Sequence, residues 1–157
     1  MAEVIWRCVP FHDLTAGELY AILRLRSEVF VVEQNCPYLD EDDKDQECYH
    51  LMGWKDGLLA AYTRILPAGL AFEEASIGRV VTSAKARGEG LGRTLMLQSI
   101  KALYNIYGEV PIKIGAQLYL RDFYKSLGFL QVSDTYLEDN IPHIKMLKQA
   151  PNETAPG

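Results

Sequence analysis

The stretch Arg87-Gly88-Glu89-Gly90-Leu91-Gly92 has the residue types and spacing that point most directly to chemistry. A β-type apolar run over residues 77–82 precedes it, and a helix-type run over residues 93–107 follows. Glycines between a strand and a helix let backbone N–H groups converge on one point, and the start of the helix adds partial positive charge. Arg87 and Arg93 flank the turn and can pair with phosphate. The pattern therefore predicts a site for an anionic ligand.

Two common phosphate-binding arrangements do not fit this turn. No Gly-Lys-Ser or Gly-Lys-Thr sequence follows the glycines, which argues against a Walker-type loop. The turn comes late in the chain, after a predicted hairpin, and no G-x-G-x-x-G motif follows the first predicted strand, which argues against a dinucleotide-binding fold. The interpretation that remains from the residues alone is an anionic ligand bound at the start of the second long helix.

Length and composition restrict the class of protein. The chain has 157 residues, enough for one domain with a real core, and a net charge of −5 without any basic arm. Sequence-independent nucleic-acid binding is therefore not expected. The N-terminus lacks the basic and apolar regions of a secretory signal, and no apolar run reaches the length of a membrane span. The three cysteines have no paired spacing, which is typical of a protein in a reducing compartment. We expect a cytoplasmic protein that does not bind membranes.

Two polar clusters have several interpretations. Cys36, Cys48 and His50 could be written as a zinc site, but a fourth ligand with standard spacing is missing, so buried thiols and no metal are expected. The acidic run Asp40-Glu41-Asp42-Asp43 is typical of a solvated loop, while a cationic substrate or a metal is the sharper alternative.

The elements that must position these residues follow from periodicity and turn signals. A capping box from Thr15 to Glu18 begins the first helix, and residues 55–57 form the turn of a hairpin between strands at residues 49–54 and 58–66. Residues 4–9, 77–82, 112–116, 129–136 and 143–147 are the other predicted strands, and residues 120–127 are a short helix ended by Gly128. The mixture of hairpins and crossovers predicts an α+β fold with a mixed sheet. Residues 1–149 form a single domain, and residues 150–157 are expected to be a flexible tail.

Two motifs in order carry a resemblance to a known superfamily. Arg87-x-x-Gly90-x-Gly92 resembles the acyl-CoA signature of the GNAT N-acetyltransferases, and the Phe123–Phe129 segment resembles their F-Y-x-x-x-G-F segment. The chain resembles the ElaA-type family more narrowly, in the segments 23–34, 36–38, 76–81 and 138–144. It departs from that family at Tyr119, where a histidine is usual.

The resemblance implies a fold and a donor site. It implies a GNAT-like, mostly antiparallel central sheet with flanking helices, in which parallel strands four and five splay apart and the pantetheine arm of acetyl-CoA lies between them. Tyr124 matches the usual general acid and also a cofactor-contacting position. The other implied cofactor-binding residues are Val80, Val81, Thr82, Arg87, Gly88, Glu89, Gly90, Leu91, Gly92, Arg93 and Gln117. Dimers are common in the superfamily, so the resemblance also implies a homodimer.

The chemistry can also be argued from the residues. Attack of an amine on a thioester builds negative charge on oxygen, which a strand N–H freed from the sheet can stabilise; the N–H of Val81 is the predicted donor. The phenol of Tyr124 is protonated at neutral pH and can give its proton to the leaving thiolate. The proton of the amine needs a base. Glu33, His50 and His143 are candidates, of which Glu33 and His50 are preferred.

The prediction is an enzyme that transfers an acetyl group from acetyl-CoA to a primary amine by direct attack in a ternary complex. The segment 25–31 also resembles the acyl-homoserine lactone synthases, which makes such an acyltransferase one alternative. The other alternative is a non-catalytic acyl-CoA-binding module, which would have no need of Tyr124.

Overall fold

The computed structural model describes residues 3–151, which form eight strands and three α-helices. The strands are β1 Ile5–Pro10, β2 Tyr49–Lys55, β3 Leu58–Leu66, β4 Ser76–Thr82, β5 Ile112–Gln117, β6 Leu130–Gln131, β7 Tyr136–Glu138 and β8 Ile141–Lys148. The helices are α1 Ala16–Arg26, α2 Leu91–Tyr107 and α3 Arg121–Lys125. Within the described range no helix is long and apolar enough to cross a membrane. Most of the predicted tail, residues 152–157, lies outside the described residues.

Helix α1 begins at the predicted capping box. The Glu18 N–H donates to Thr15 Oγ1 over 3.0 Å, and the Thr15 N–H donates to Glu18 Oε1 over 2.9 Å, so two otherwise unpaired donors are satisfied. After Arg26 the helix widens into a π-helical segment, Ser27–Glu33, without a break in the chain direction. This extension carries Glu33 to the edge of the central sheet.

The central sheet consists of two halves that separate from each other. Strands β1–β2–β3–β4 form one antiparallel half, and β5, β8 and β6 form the other, with β7 added to β8. Parallel β4 and β5 meet at a bridge between Ala75 and Ile112, where the Lys113 N–H donates to the Ala75 carbonyl over 3.0 Å. Beyond that bridge the strands diverge, so the expected splay of strands four and five is confirmed.

Helices cover both faces of the sheet. Leu95 and Met96 of α2 are fully buried in a cluster with Ile144 and Met146 of β8, and Tyr124 of α3 belongs to the same cluster. On the other face α1 and the π-helical segment pack through Ile22, Leu25 and Val29 on Tyr62 and Val81. Burial of each large aliphatic side chain is worth about 1.5–3 kcal/mol, so each face is anchored by several such contributions.

The predicted strand at residues 129–136 is wrong in its extent, because the structure has two short strands there, β6 and β7. The Val132 N–H still donates to the Lys145 carbonyl over 2.9 Å, but Ser133 Oγ accepts from the Lys145 N–H over 2.8 Å. A side-chain oxygen thus takes the place of a backbone acceptor, and the regular ladder stops. The other predicted elements are found at their places with ends that differ by a few residues.

Candidate active site

The gap between β4 and β5 opens into a cleft of about 710 Å³. Its walls come from β4 and β5, from the end of the π-helical segment and the loop that follows it, from the start of α3, and from the β7–β8 turn. Of the predicted site residues, the following line this cleft: Glu33, Val80, Val81, Thr82, Arg87, Gln117, Tyr124 and His143. His50 does not.

The glycine turn at the mouth of the cleft has an unusual backbone. Gly88, Glu89 and Gly90 have φ angles of 108°, 58° and 71°, three consecutive residues in the left-handed region. Gly90 is the N-cap of α2 and supplies no side-chain cap. Within residues 3–151 the N–H groups of Gly92 and Arg93 have no protein acceptor, although those of Leu91 and Thr94 do. The turn therefore presents unpaired donors at a helix N-terminus, an arrangement suited to an anion.

Gly92 has free space in front of it. A Cβ built on Gly92 would meet no heavy atom within 4 Å, and Gly92 lies in the helix without a left-handed φ. Neither its own backbone conformation nor the surrounding protein therefore requires a glycine here. The space over the helix start remains open and is bordered by the unpaired N–H groups. These residues fit a bound pyrophosphate.

A β-bulge in β4 shapes the wall of the cleft. Arg79 has a φ of 51°, and the β3–β4 register passes from Arg64↔Gly78 to Tyr62↔Val81, so Arg79 and Val80 together face one residue of β3. The bulge turns β4 away from regular pairing at the height where β4 and β5 have separated.

The pairing also corrects the predicted donor for the oxyanion. The Ser83 N–H donates to the Ala60 carbonyl over 2.8 Å, and hydrogen-bonded positions recur at every second residue. Val81 therefore directs its N–H towards β3, and the prediction that this N–H is free was wrong. Thr82 directs its peptide groups into the gap, where its carbonyl accepts from Arg87 over 3.3 Å. Val80 has no β3 partner in the register, which leaves its N–H as the better candidate.

Tyr124 lies in the wall of the cleft at the end of α3. Its side chain is buried at 5% exposure between Phe123 and Phe129, with ring centroids 5.1 Å and 6.0 Å away. Burial, followed by the nearby Tyr119 hydroxyl, raises the pKa of Tyr124 to about 12. The phenol is thus fully protonated at neutral pH and available as a proton donor.

Glu33 and Arg87 form an ion pair across the mouth of the cleft. Arg87 Nη1 and Nη2 donate to the two carboxylate oxygens of Glu33 over 2.5 Å and 3.0 Å. The structure places Glu33 beside the glycine turn, as a partner of the signature arginine rather than as an unpaired carboxylate. Arg93 donates to Ser126 Oγ over 3.0 Å and ties the start of α2 to the end of α3.

His50 has a structural environment. It is fully buried, Nδ1 accepts from the Tyr62 hydroxyl over 2.6 Å, and Nε2 donates to the Asp45 carbonyl over 2.9 Å. Burial lowers the pKa of His50, with the Asp45 interactions opposing this, so the ring stays neutral. With both ring nitrogens occupied away from the cleft, the prediction of His50 as the general base is not supported by the geometry.

The acidic run is solvated only at Glu41 and Asp43, because Asp40 and Asp42 bind arginines, which corrects the expectation for these two residues. Asp40 accepts from Arg26 over 2.6 Å and from Arg79 over 2.8 Å, and Asp42 accepts from two nitrogens of Arg64 over 2.7 Å and 2.5 Å. Arg26 is completely buried. Asp45 joins the same network through Arg26 Nη1 over 2.8 Å and Arg64 Nη1 over 3.0 Å.

Sequence reasoning did not find this network, although one signal was present. Arg26 lies in the apolar stripe of the first helix, between Ile22 and Val29, and a charge in such a place needs a buried partner. Arg79 Nη2 also donates to the Asp40 carbonyl over 2.7 Å, so the acidic loop is fastened to the bulge of β4. The network therefore holds one wall of the cleft in position.

The cysteines remain thiols with ordinary environments. Cys36 lies in the cleft wall with Sγ 3.8 Å from the Asp139 carbonyl, and Cys48 is buried with Sγ 3.2 Å from the Lys44 carbonyl. Burial raises the pKa of Cys48 to about 11. Within residues 3–151 no group of three or more His, Cys, Asp or Glu side chains is placed to hold a metal ion.

A splayed sheet with a glycine turn at its mouth and a buried tyrosine in its wall defines a class of acyl-CoA-dependent acyltransferases. A family model for the acetyltransferase (GNAT) domain matches residues 29–150. Protein ElaA of Escherichia coli (strain K12) is 42% identical over 146 residues, which cover 92% of this chain and 95% of that protein. This chain belongs to the GNAT acyltransferase family, within its ElaA-type branch.

Solved structures agree with this assignment. The crystal structure of Escherichia coli ElaA has a TM-score of 0.87 with 41% identity and covers 93% of this chain and 99% of its own. An acyl-CoA N-acyltransferase from Pseudomonas aeruginosa has a TM-score of 0.88 with 46% identity, covering 92% of this chain and 99% of its own. A CoA-dependent acyl-homoserine lactone synthase has a TM-score of 0.75 at 14% identity, which shows a shared fold and no more.

Proposed function

We propose that this protein transfers an acetyl group from acetyl-CoA to a primary amine by direct attack within a ternary complex. The observation that carries the proposal is the open helix start at Gly92 and Arg93, which lies in the same turn as Arg87 of the cleft wall. Unpaired N–H groups at a helix N-terminus suit a pyrophosphate, and an open strand edge suits the amide-bearing pantetheine arm. The backbone of Val80 to Thr82 and the side chain of Gln117 border that arm.

Different residues around the cleft have different roles in the proposed reaction. The bulge leaves Val80 without a register partner on β3, and its N–H is the proposed donor to the developing oxyanion. Tyr124 gives its hydroxyl proton to the departing sulfur. A burial-raised pKa keeps that proton on the phenol until negative charge appears beside it.

The acceptor half of the site favours an amine. The carboxylates of Glu138 and Asp139 border the cleft on the side away from the glycine turn, and Glu138 is largely exposed. These carboxylates attract a cationic group more than a neutral alcohol. An acyl-homoserine lactone synthase activity is the weaker alternative, because its support is a shared fold at low sequence identity.

The test is release of free CoA from acetyl-CoA in the presence of amines of different classes, with Tyr124→Phe as the diagnostic variant. We expect Tyr124→Phe to lower kcat about 100-fold or more while the Kd for acetyl-CoA, measured by calorimetry, changes less than threefold. Phe123→Leu is a matched control in the adjacent position, because it alters packing without removing a proton donor. An unchanged kcat in Tyr124→Phe would remove the acid role.

The same assay separates an enzyme from a binding module. A protein that binds acetyl-CoA tightly but releases no CoA with any amine would be the non-catalytic module. Release with an acyl-carrier-protein thioester but not with acetyl-CoA would favour the lactone-synthase alternative.

A further inference from the structure

His143 lies on the wall of the cleft at the start of β8, on the opposite side of the sheet from Tyr124. It pairs in register with Gln117, the last residue of β5. Its neighbour Ile144 is buried in the cluster that α2 and Tyr124 share, and successive side chains of a strand point to opposite faces. His143 therefore faces the α1 side. An amine entering from that side would have His143 and Tyr124 on opposite sides of the reacting carbonyl.

The contacts of the imidazole fix its tautomer. Nδ1 lies 2.7 Å from the carbonyl oxygen of Ile141. A carbonyl can only accept, so Nδ1 carries the hydrogen and the neutral ring has its lone pair on Nε2. Glu138 Oε2 lies 3.5 Å from Nε2, where it stabilises the ring once Nε2 has taken a proton. The Tyr136 ring stacks on the imidazole at 6.0 Å and 28°.

The hairpin between β7 and β8 holds this pair together. Asp139 and Asn140 have φ angles of 51° and 64°, as a tight two-residue turn requires. Asn140 Nδ2 also donates to the Tyr38 hydroxyl over 3.1 Å, which fastens the turn to the loop after the π-helical segment. Glu138 and His143 are therefore placed by rigid backbone on both sides of the turn.

The other candidate bases are already occupied. The Glu33 carboxylate receives two hydrogen bonds from Arg87, and His50 is buried with both ring nitrogens paired. Asp40, which also lines the cleft, is bound by Arg26 and Arg79. We propose that His143 is the general base of the acyl transfer and that Glu138 stabilises the ring after Nε2 has taken the proton. This inference rests on the proposed function and completes it.

His143 Nε2 takes one proton from the amine nitrogen as that nitrogen bonds to the acetyl carbon. The carbon–sulfur bond breaks with its electron pair going to sulfur, and the Tyr124 hydroxyl proton passes to that sulfur. One proton remains on His143 and one is missing from Tyr124, so a single transfer through solvent restores both. Removal of Nε2 thus affects the amine and leaves the binding of acetyl-CoA intact.

The charges around His143 determine how its pH dependence is interpreted. Glu138 and Tyr136 face it from β7, and Gln117, which is uncharged, faces it from β5. The remaining titratable or charged side chains in the cleft are Glu33, Cys36, Tyr38, Asp40, Asp42, Arg79, Arg87, Tyr119, Tyr124 and Asp139. Only an unprotonated base can accept the proton of the amine, so loss of the base should change the acidic limb of the pH–rate profile.

The test compares His143→Asn with His12→Asn. The amide nitrogen of asparagine can replace the Nδ1 donor to Ile141 while Nε2 is removed, and His12 is an exposed histidine away from the cleft. Both variants and the wild type are assayed with spermidine, 2-phenylethylamine and a lysine peptide. We expect His143→Asn to lower kcat/KM at least 100-fold and to flatten the acidic limb, with the Kd for acetyl-CoA changed less than threefold and rescue by added imidazole. His12→Asn should match the wild type.

The outcomes separate the two proposals. An active His143→Asn with the wild-type acidic limb overturns the base assignment and leaves the acetyltransferase proposal standing. A wild type that releases no CoA with any of these amines overturns the acetyltransferase proposal and the base assignment with it. A second measurement does not depend on an acceptor. Nitrogen NMR of the wild type should show the neutral His143 ring protonated at Nδ1, and the Nε2–H tautomer would overturn the assignment even if His143→Asn fails to fold.

Discussion

Replacing Gly92 by alanine should make the protein more stable and a poorer binder of acetyl-CoA. Gly92 is the second residue of α2, without a left-handed φ and with no atom within 4 Å of an added Cβ. Glycine in a helix costs about 0.5–1 kcal/mol relative to alanine. For a domain of this size, such a gain corresponds to a rise in Tm of about 1–4 °C.

The loss in binding follows from the same open space. An added methyl group would enter open space beside the unpaired N–H groups of Gly92 and Arg93, where the pyrophosphate is proposed to lie. Displacing one charge-assisted hydrogen bond costs about 1.5–3 kcal/mol, which weakens the Kd about 10- to 100-fold. Calorimetric titration with acetyl-CoA and a thermal melt of the same preparation measure both effects.

Gly17→Ala is the matched control, because Gly17 is the second residue of α1, is exposed, and its added Cβ would approach only Thr15 Oγ1 at 4.0 Å. It should raise Tm by a similar amount and leave the Kd for acetyl-CoA unchanged. A folded Gly92→Ala protein with the wild-type Kd would refute the pyrophosphate assignment, and with it the reason given for the glycine.

Two further predictions concern charged pairs. Glu33→Gln should tighten the binding of acetyl-CoA up to about fivefold, because an exposed ion pair is worth about 0–1 kcal/mol and its loss frees Arg87 for the pyrophosphate; weaker binding at low salt would contradict this. Asp42→Asn should cost about 2 kcal/mol at pH 7 and less at pH 3. Burial alone would raise the pKa of Asp42, but the hydrogen bonds and charge of Arg64 lower this pKa overall. The ionised carboxylate therefore stabilises the fold at pH values above the pKa of Asp in the unfolded chain, about 3.9, and this stabilisation is lost as the pH falls below it. Urea unfolding at the two pH values measures the difference, and an equal loss at both would show that the charge is not responsible.

The parts of the fold that the sequence predicted well are those determined by a few neighbouring residues. The Thr15 capping box and the Asp56-Gly57 turn each satisfy their hydrogen bonds or φ angles within a short segment. The glycine turn belongs to the same class, because its left-handed residues and its open helix start are properties of one local stretch. Features of this kind can be predicted from sequence because neighbouring residues alone determine them.

The charge network could not be predicted because its partners are far apart in the chain. Asp40 meets Arg26 across 14 residues and Arg79 across 39 residues, and only the folded sheet brings these segments together. A run of acidic residues predicts a solvated loop when only its sequence neighbours are considered, because its arginine partners lie far away in the chain. The bulge at Arg79 was equally hidden, because the register that creates it depends on the pairing of β4 with β3.

The two histidines show why the acceptor half of the site is harder to predict than the donor half. His50 and His143 each lie on a strand in an otherwise apolar context, and nothing local distinguishes them. His50 lies on β2, an interior strand of its sheet half, and becomes a buried hydrogen-bonding link, whereas His143 pairs with the last residue of β5, where the sheet opens. The proposed donor site is built from backbone N–H groups of one turn, so the turn by itself supplies its hydrogen-bond donors. The proposed base depends on where a strand ends relative to a gap in the sheet. Side chains of the proposed acceptor half can therefore be changed without disturbing the proposed donor site.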